Sequence, residues 1–115
     1  EFSAVRFMTK IVIKKTNGRY SGFTCSGHAG YAQSGSDIVC AAVSILVINT
    51  INAMEIFAAE EMEVSSQEEG GIIDVKFPFP IGEKAILLMD TMVLGLQSIG
   101  QQYGKKYLRL KIEEV

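Results

Sequence analysis

Alternating apolar and polar positions open the chain and predict a β-hairpin. Ile11 and Ile13 alternate with their neighbours across Lys10–Thr16, which predicts a strand. The pair Asn17-Gly18 follows and favours a type I′ turn, because both central positions of that turn need positive φ. Arg19–Ser26 is then predicted as the returning strand.

The rest of the chain predicts two helices and three further strands. The predicted helices are Asp37 to about Glu60 and Glu83–Tyr103, with Gly104 as the stop; the predicted strands are Glu61–Gln67, Ile72–Phe77 and Lys106–Glu113. A turn at residues 68–71 joins the second hairpin, and Pro78 and Pro80 make a rigid connector before the second helix. The order β-β-α-β-β-α-β predicts an α+β fold, a two-layer sandwich in which two helices cover a mostly antiparallel sheet.

The length of 115 residues fits one domain with a single core. Residues 1–7 lack the charged and apolar regions of a signal peptide, and they precede Met8 and a clean strand pattern. We therefore expect residues 1–7 to be a cloning remnant, Met8 to be the natural start, and residues 8–115 to form one domain.

The first helix is unusually apolar. Hydrophobic residues make up 48% of the chain, and between Ile38 and Ile51 they occupy most of the helix circumference. One layer of a sandwich covers only one stripe of a helix, so we expect a two-fold homodimer that buries part of this helix or of the second one and leaves the Cys40 end open. The uninterrupted apolar run is far shorter than the ~20 residues that cross a bilayer, so no membrane segment is expected.

The formal net charge is −2, and the eleven basic residues are scattered along the sequence. This distribution gives no footprint for nucleic acid, and no direct nucleic-acid binding is expected. The two cysteines, Cys25 and Cys40, come without a signal peptide, which favours two thiols and a cytoplasmic location.

Cys40 carries the most specific chemistry in the chain. Asp37, three residues earlier, is a good N-cap residue, and this predicts Cys40 near the third helical position. Unpaired amides and the positive end of the helix dipole would favour a thiolate there. His28, the only histidine, ends the second strand, and a thiolate with an imidazole in reach suits covalent acyl transfer.

Residues around this pair have supporting candidate roles. Gly27 leaves room beside His28, Asp37 could also orient the imidazole, and Ser44 lies one turn after Cys40 on the same face. The candidate substrate loop consists of Ala29, Gly30, Tyr31, Ala32, Gln33, Ser34, Gly35 and Ser36. Its small residues predict a lid that becomes ordered over a bound peptide.

Simpler interpretations stand beside these. Cysteine is often a buried apolar residue, Ser44 could donate back to a helix carbonyl, and Asp37 could act only as a cap. Cys25, His28 and Cys40 could hold zinc, but Cys25 and His28 start on opposite faces of a strand unless Gly27 bends the chain. We therefore assign Cys25 to strand packing and expect no metal or cofactor.

The stretch Gly27-His28, a loop, then Gly35-x-Asp37-Ile38-Val39-Cys40-Ala41-Ala42-x-Ser44 resembles the signature of the Prp family of ribosomal-processing cysteine proteases. The resemblance extends through the whole chain from about Met8, including both hairpins and the second helix. It implies Cys40 as nucleophile and His28 as general base, with Gly27, Asp37 and Ser44 in support.

The resemblance also implies a small homodimer that removes the N-terminal extension of a precursor of large-subunit ribosomal protein twenty-seven, cutting after an aromatic residue. One alternative is a non-enzymatic dimeric module that binds to the ribosome, with Cys40 in its core. Another is a thiol hydrolase that acts on a small ester or thioester.

Overall fold

The computed structural model describes residues 9–27, 34–67, 71–104 and 106–115. The elements in chain order are β1 (Thr9–Thr16), β2 (Arg19–Ser26), α1 (Ser34–Phe57), β3 (Glu63–Gln67), β4 (Ile72–Lys76), α2 (Glu83–Tyr103) and β5 (Leu108–Glu114). Within the described residues the strands form one five-stranded sheet of order β3-β4-β2-β1-β5. The predicted two-layer α+β sandwich is confirmed.

The sheet is built from two hairpins and one added strand. The first hairpin turns at Asn17 and Gly18, whose φ angles of 54° and 75° are both positive, as the sequence predicts. β2 pairs with β4 and β3 with β4, all antiparallel. β5 pairs with β1 in the parallel direction, because α2 carries the chain back across the sheet before β5 begins.

One face of the sheet is buried under both helices. Alternate side chains of β1, β2 and β4 form the floor of the core: Ile11, Ile13, Phe23, Cys25, Ile73 and Val75. The side of α1 that packs onto this floor carries Val39, Val43, Val47 and Met54, all fully buried. Residues 39, 43, 47 and 54 lie on one helical face, so this single stripe holds α1 on the sheet.

Contacts between the layers fix the position of α2. A Cβ atom at Gly95 would lie 2.8 Å from Cδ2 of Leu46, so the glycine allows α1 and α2 to approach closely. The Tyr20 hydroxyl on β2 donates a 2.5 Å hydrogen bond to Oδ1 of Asp90 on α2. α2 is therefore anchored to both α1 and the sheet.

The bounds of α1 differ from the prediction. The helix begins at Ser34, three residues before the expected start at Asp37, and ends at Phe57. Ser, Gly and Asp are tolerated in a first turn, since its amides have no intrahelical partner, so these residues do not mark a loop here. The helix ends because Ala59 takes a left-handed φ of 50° and the Glu60 amide donates back to the Met54 carbonyl.

Segment Ile38–Phe57 of α1 is longer than the uninterrupted apolar run on which the expectation of no membrane segment rests. Its 20 residues, with a mean hydropathy of 1.8, are long and apolar enough to cross a bilayer on those two criteria alone. In the folded chain its inward stripe packs on the sheet, but only 28% of the segment is buried. Packing within this chain therefore accounts for one stripe of α1 and not for the apolar character of the rest.

The opposite side of α1 remains apolar and uncovered. Ile38, Ile45 and Ile48 are exposed, with Ile45 at 70%. We call these three side chains the outer stripe of α1. The expectation that apolar residues surround most of this helix is correct.

Candidate functional site

Cys40 lies in the second turn of α1 and is half-buried. It is the seventh residue of the helix, so the expectation that it occupies about the third position is wrong. Its neighbours Val39 and Val43 point into the core. Cys40 therefore sits at the margin of the core, where a thiol is firmly positioned yet still reachable.

Helical geometry places Ser44 beside Cys40. Successive helical residues are about 100° apart, so the side chains of Cys40 and Ser44 share one flank of α1. Cys40 and Ser44 are both half-buried, and each has a partner in the structure. Leu46 lies on the other flank, which contacts α2. The candidate site thus opens on the side of α1 that faces away from α2.

Cys25 contrasts with Cys40 in every respect. It lies within β2 between Ile11 and Ile73, and its side chain has no exposed surface. Burial, and secondarily the charge of Cys40, raises the pKa of the Cys25 thiol to about 12. The thiol therefore stays protonated at neutral pH, and the assignment of Cys25 to strand packing is confirmed.

The two thiols are nevertheless close enough to interact. The charge of Cys40 acts on Cys25, which places the second turn of α1 near the carboxyl end of β2. Gly27 then turns the chain at this end with a left-handed φ of 81°, a conformation that favours glycine. The sequence pattern identified both cysteines but not their proximity, which depends on how α1 lies across the sheet.

Several candidate residues fall outside the described part of the chain. These are His28 and the loop residues Ala29, Gly30, Tyr31, Ala32 and Gln33. The remaining loop residues, Ser34, Gly35 and Ser36, form the first turn of α1 and are not part of a loop. Asp37 is the fourth helical residue, so its predicted role as N-cap is wrong; its side chain lies outside the description.

The zinc alternative receives no support from the described side chains. Among them, no three His, Cys, Asp or Glu residues lie close enough to hold a metal ion. Gly27 does bend the chain, but His28 is outside the description, and the three-ligand hypothesis is not tested by geometry. Full burial of Cys25 weighs against a site open to substrate.

A groove of about 960 Å³ lies elsewhere, between α2 and β5. Its lining includes Leu96, Gly100, Leu108 and Ile112, and Arg109 on the edge strand β5 borders it. It contains no nucleophile or acid–base pair, and it lies beyond α2 from Cys40. We therefore keep the candidate site at Cys40.

Comparison with known proteins now assigns the family. The sequence model of the family described as cysteine protease Prp matches residues 8–108. The chain belongs to this family. It is 34% identical over 85 residues to the ribosomal processing cysteine protease Prp of Bacillus subtilis, covering 70% of this chain and 76% of that protein.

Solved structures agree with the assignment. A Streptococcus mutans protein superposes with a TM-score of 0.85 at 28% identity, covering 94% of this chain and 96% of that one. Staphylococcus aureus Prp in complex with a substrate peptide also gives 0.85, at 25% identity, covering 91% and 99%. The same Staphylococcus aureus enzyme, with a covalently linked product peptide, gives 0.80 at 26% identity, again covering 91% and 99%.

The family assignment confirms the resemblance found in the sequence. The chain is a cysteine protease, and the non-enzymatic alternative is set aside. Two cysteines are available, and the structure separates them by exposure.

The contrast in burial predicts a difference in thiol reactivity. Iodoacetamide should alkylate Cys40 in the native protein. Cys25 should react at least about 10³-fold more slowly, because the reagent reaches it only when the core opens. Peptide mapping after timed alkylation measures both rates. Equal rates under native conditions, or faster labelling of Cys25, would contradict the assignment of Cys25 to the core.

Proposed function

We propose that this Prp enzyme removes the N-terminal extension of a precursor of large-subunit ribosomal protein twenty-seven, with Cys40 as nucleophile and His28 as general acid–base. The relatives are named ribosomal processing cysteine proteases, which supports a ribosomal protein as substrate. The observation that carries the residue assignment is the half-buried Cys40 at the margin of the core, beside a fully buried Cys25.

The proposed reaction has two steps. The Cys40 thiolate attacks the scissile carbonyl, and His28 protonates the leaving amine as the thioester forms. His28 then takes a proton from water, and the resulting hydroxide attacks the thioester. This attack releases the N-terminal extension from Cys40 as a carboxylic acid. The position of Gly27 supports this pairing, because this residue precedes His28 in the sequence and lies at the end of β2 near the second turn of α1.

The start of α1 supplies the proposed oxyanion site. Helical side chains lean toward the N-terminus, so the Cys40 side chain covers the turn formed by residues 34–37. The backbone amides of that first turn lack intrahelical partners and can donate to a developing oxyanion. Because α1 begins at Ser34, the free amides belong to residues one turn before Cys40, and they still lie on the side toward which its side chain leans.

The supporting residues have proposed positions around this centre. Ser44 shares the flank of Cys40 and could hold a substrate carbonyl, while Asp37 could orient the imidazole of His28. Residues 29–33, together with the first turn of α1, would close over the substrate peptide. Gly27 would set the direction in which the chain leaves β2.

The outer stripe of α1 supports the proposed homodimer, whereas the cytoplasmic location is proposed from the sequence alone. Exposed Ile38, Ile45 and Ile48 form an apolar strip that a second copy of the chain would cover. Cys40 and Ser44 lie on a flank beside this strip and would remain open to substrate.

Substitution of each cysteine provides the central test of the proposal. Cys40→Ala should abolish cleavage of the precursor because the nucleophile is lost, whereas Cys25→Ala is the matched control and should retain cleavage. Mass spectrometry of the incubated precursor measures the product. Cleavage by the Cys40→Ala variant at a rate comparable to the parent would refute the assignment.

Removal of the imidazole should reduce turnover without removing the thiol. His28→Ala is expected to lower kcat by roughly 10²–10⁴-fold, which is the usual contribution of a positioned acid–base group. Single-turnover kinetics with a precursor peptide measure the chemical step. An unchanged rate would take His28 out of the mechanism.

The dimer has its own matched pair of variants. Ile45→Lys places a charge in the outer stripe and should yield monomers, whereas Leu94→Lys, at a similarly exposed position of α2, should leave the dimer intact. Sedimentation equilibrium at micromolar concentration distinguishes the two states. A monomeric parent protein would disprove the dimer, and dissociation by Leu94→Lys alone would move the interface to α2.

A further inference from the structure

The uncovered face of the sheet concentrates positive charge. Ile11 points into the core, so its neighbour Lys10 points to the other face, and Arg109 on β5 pairs directly with Lys10. The same register places Lys14 and Lys111 on this face. We call Lys10, Lys14, Arg109 and Lys111 the basic face.

In the described strands, acidic residues on this side of the sheet are fewer than basic ones, and two of the three, Asp74 and Glu63, lie on β4 and β3, away from β1 and β5. In the described parts of β1 and β5, Glu113 is the only acidic residue that shares it, and it forms a 3.2 Å ion pair with Lys111. Lys10, Arg109 and Lys111 are exposed, and Lys14 is half-buried. Neighbouring strands lie about 4.8 Å apart, so the cations of Lys10 and Arg109 can act on one anionic ligand.

The helix layer carries the opposite charge. Among the residues whose side chains the structure describes, α1, α2 and the segments that flank them have two lysines, Lys84 and Lys106, and five acidic residues: Glu55, Glu60, Glu61, Glu83 and Asp90. The whole chain has a net charge of −2, so the basic face is a local reversal of the overall charge. Basic residues that are scattered in the sequence are brought together because β5 pairs with β1.

The other side chains on this face indicate the chemistry of its partner. Val12 is half-buried, Ser26 contributes a hydroxyl group, and the described part of the face has no aromatic residue. The Thr24 hydroxyl donates a 2.7 Å hydrogen bond to Oδ1 of Asp74. Stable protein interfaces usually have an apolar or aromatic centre, which is lacking here. Lysine, arginine and hydroxyl side chains are instead the common partners of nucleic-acid phosphates.

We propose that the basic face binds the phosphate backbone of single-stranded RNA without reading its base sequence. The choice of RNA over DNA rests on the proposed ribosomal substrate, whereas phosphate binding rests only on the charges of β1 and β5. Lack of aromatic side chains on the described face excludes base stacking there, so binding should be weak and strongly dependent on salt.

The test compares variants of equal charge in the full-length protein. Lys10→Gln/Arg109→Gln removes two cations from the basic face, and Lys15→Gln/Lys84→Gln removes two from the helix side, where Lys15 lies 4.7 Å from the Tyr20 ring centre. Binding of a labelled oligouridylate is measured by anisotropy between about 50 and 200 mM salt. With four phosphate contacts, the parent should show a slope of log affinity against log salt of about −3.

The first variant should reduce the steepness of this slope by about 1 to 1.5, and the second should leave it unchanged. Equal effects of both variants, or no binding at about 50 mM salt, would overturn the proposal. Displacement by polyglutamate as efficient as by unlabelled oligouridylate would assign the face to an acidic protein instead. Cleavage of a short precursor peptide is measured in parallel, so that failure of the protease assignment is distinguished from failure of RNA binding.

Discussion

The arrangement of this protein depends on the burial of one stripe of α1 against the sheet. Val39, Val43, Val47 and Met54 are fully buried, and each such side chain contributes about 1.5–3 kcal/mol relative to exposure. This stripe fixes the rotation of α1 about its own axis. Because Cys40 directly follows Val39, the same packing holds the thiol at the margin of the core rather than within it.

The two cysteines show how position in the fold decides chemical role. Cys25 on β2 points into the core, and burial raises its thiol pKa to about 12. Cys40 lies a short distance away on the helix, above a turn whose amides favour negative charge. We therefore expect two residues of the same type to differ in reactivity, because one faces the core and the other lies beside it.

Much of the fold follows from local patterns in the sequence. Asn17-Gly18 predicts the first hairpin, and the bounds of α2 at Glu83 and Tyr103 are predicted correctly because Gly104 is a strong stop signal. The start of α1 is not, because Ser34, Ser36 and Asp37 are all suitable near a helix N-terminus and no local signal selects one. The parallel pairing of β5 with β1 is a long-range contact that no local pattern predicts. The basic face depends on this pairing, so it could not be predicted from the sequence.

The candidate site was predicted less completely than the fold. Spacing predicts Cys40, His28 and Ser44 as site residues, but the proximity of Cys25 to Cys40 depends on how α1 lies over the sheet. The assignment of Asp37 as N-cap fails for the same reason as the start of the helix. Side-chain chemistry can be inferred from short motifs, whereas its surroundings depend on tertiary packing.

The most direct test of the central claim is to trap the acyl-enzyme. The protein is mixed with an activated ester of a peptide that ends in an aromatic residue, quenched in acid within the first turnover, and digested for mass spectrometry. The account predicts a thioester-linked acyl group on the fragment that contains Cys40 and none on the fragment that contains Cys25. An acyl group on Cys25, or turnover of the ester with neither cysteine labelled, would contradict it.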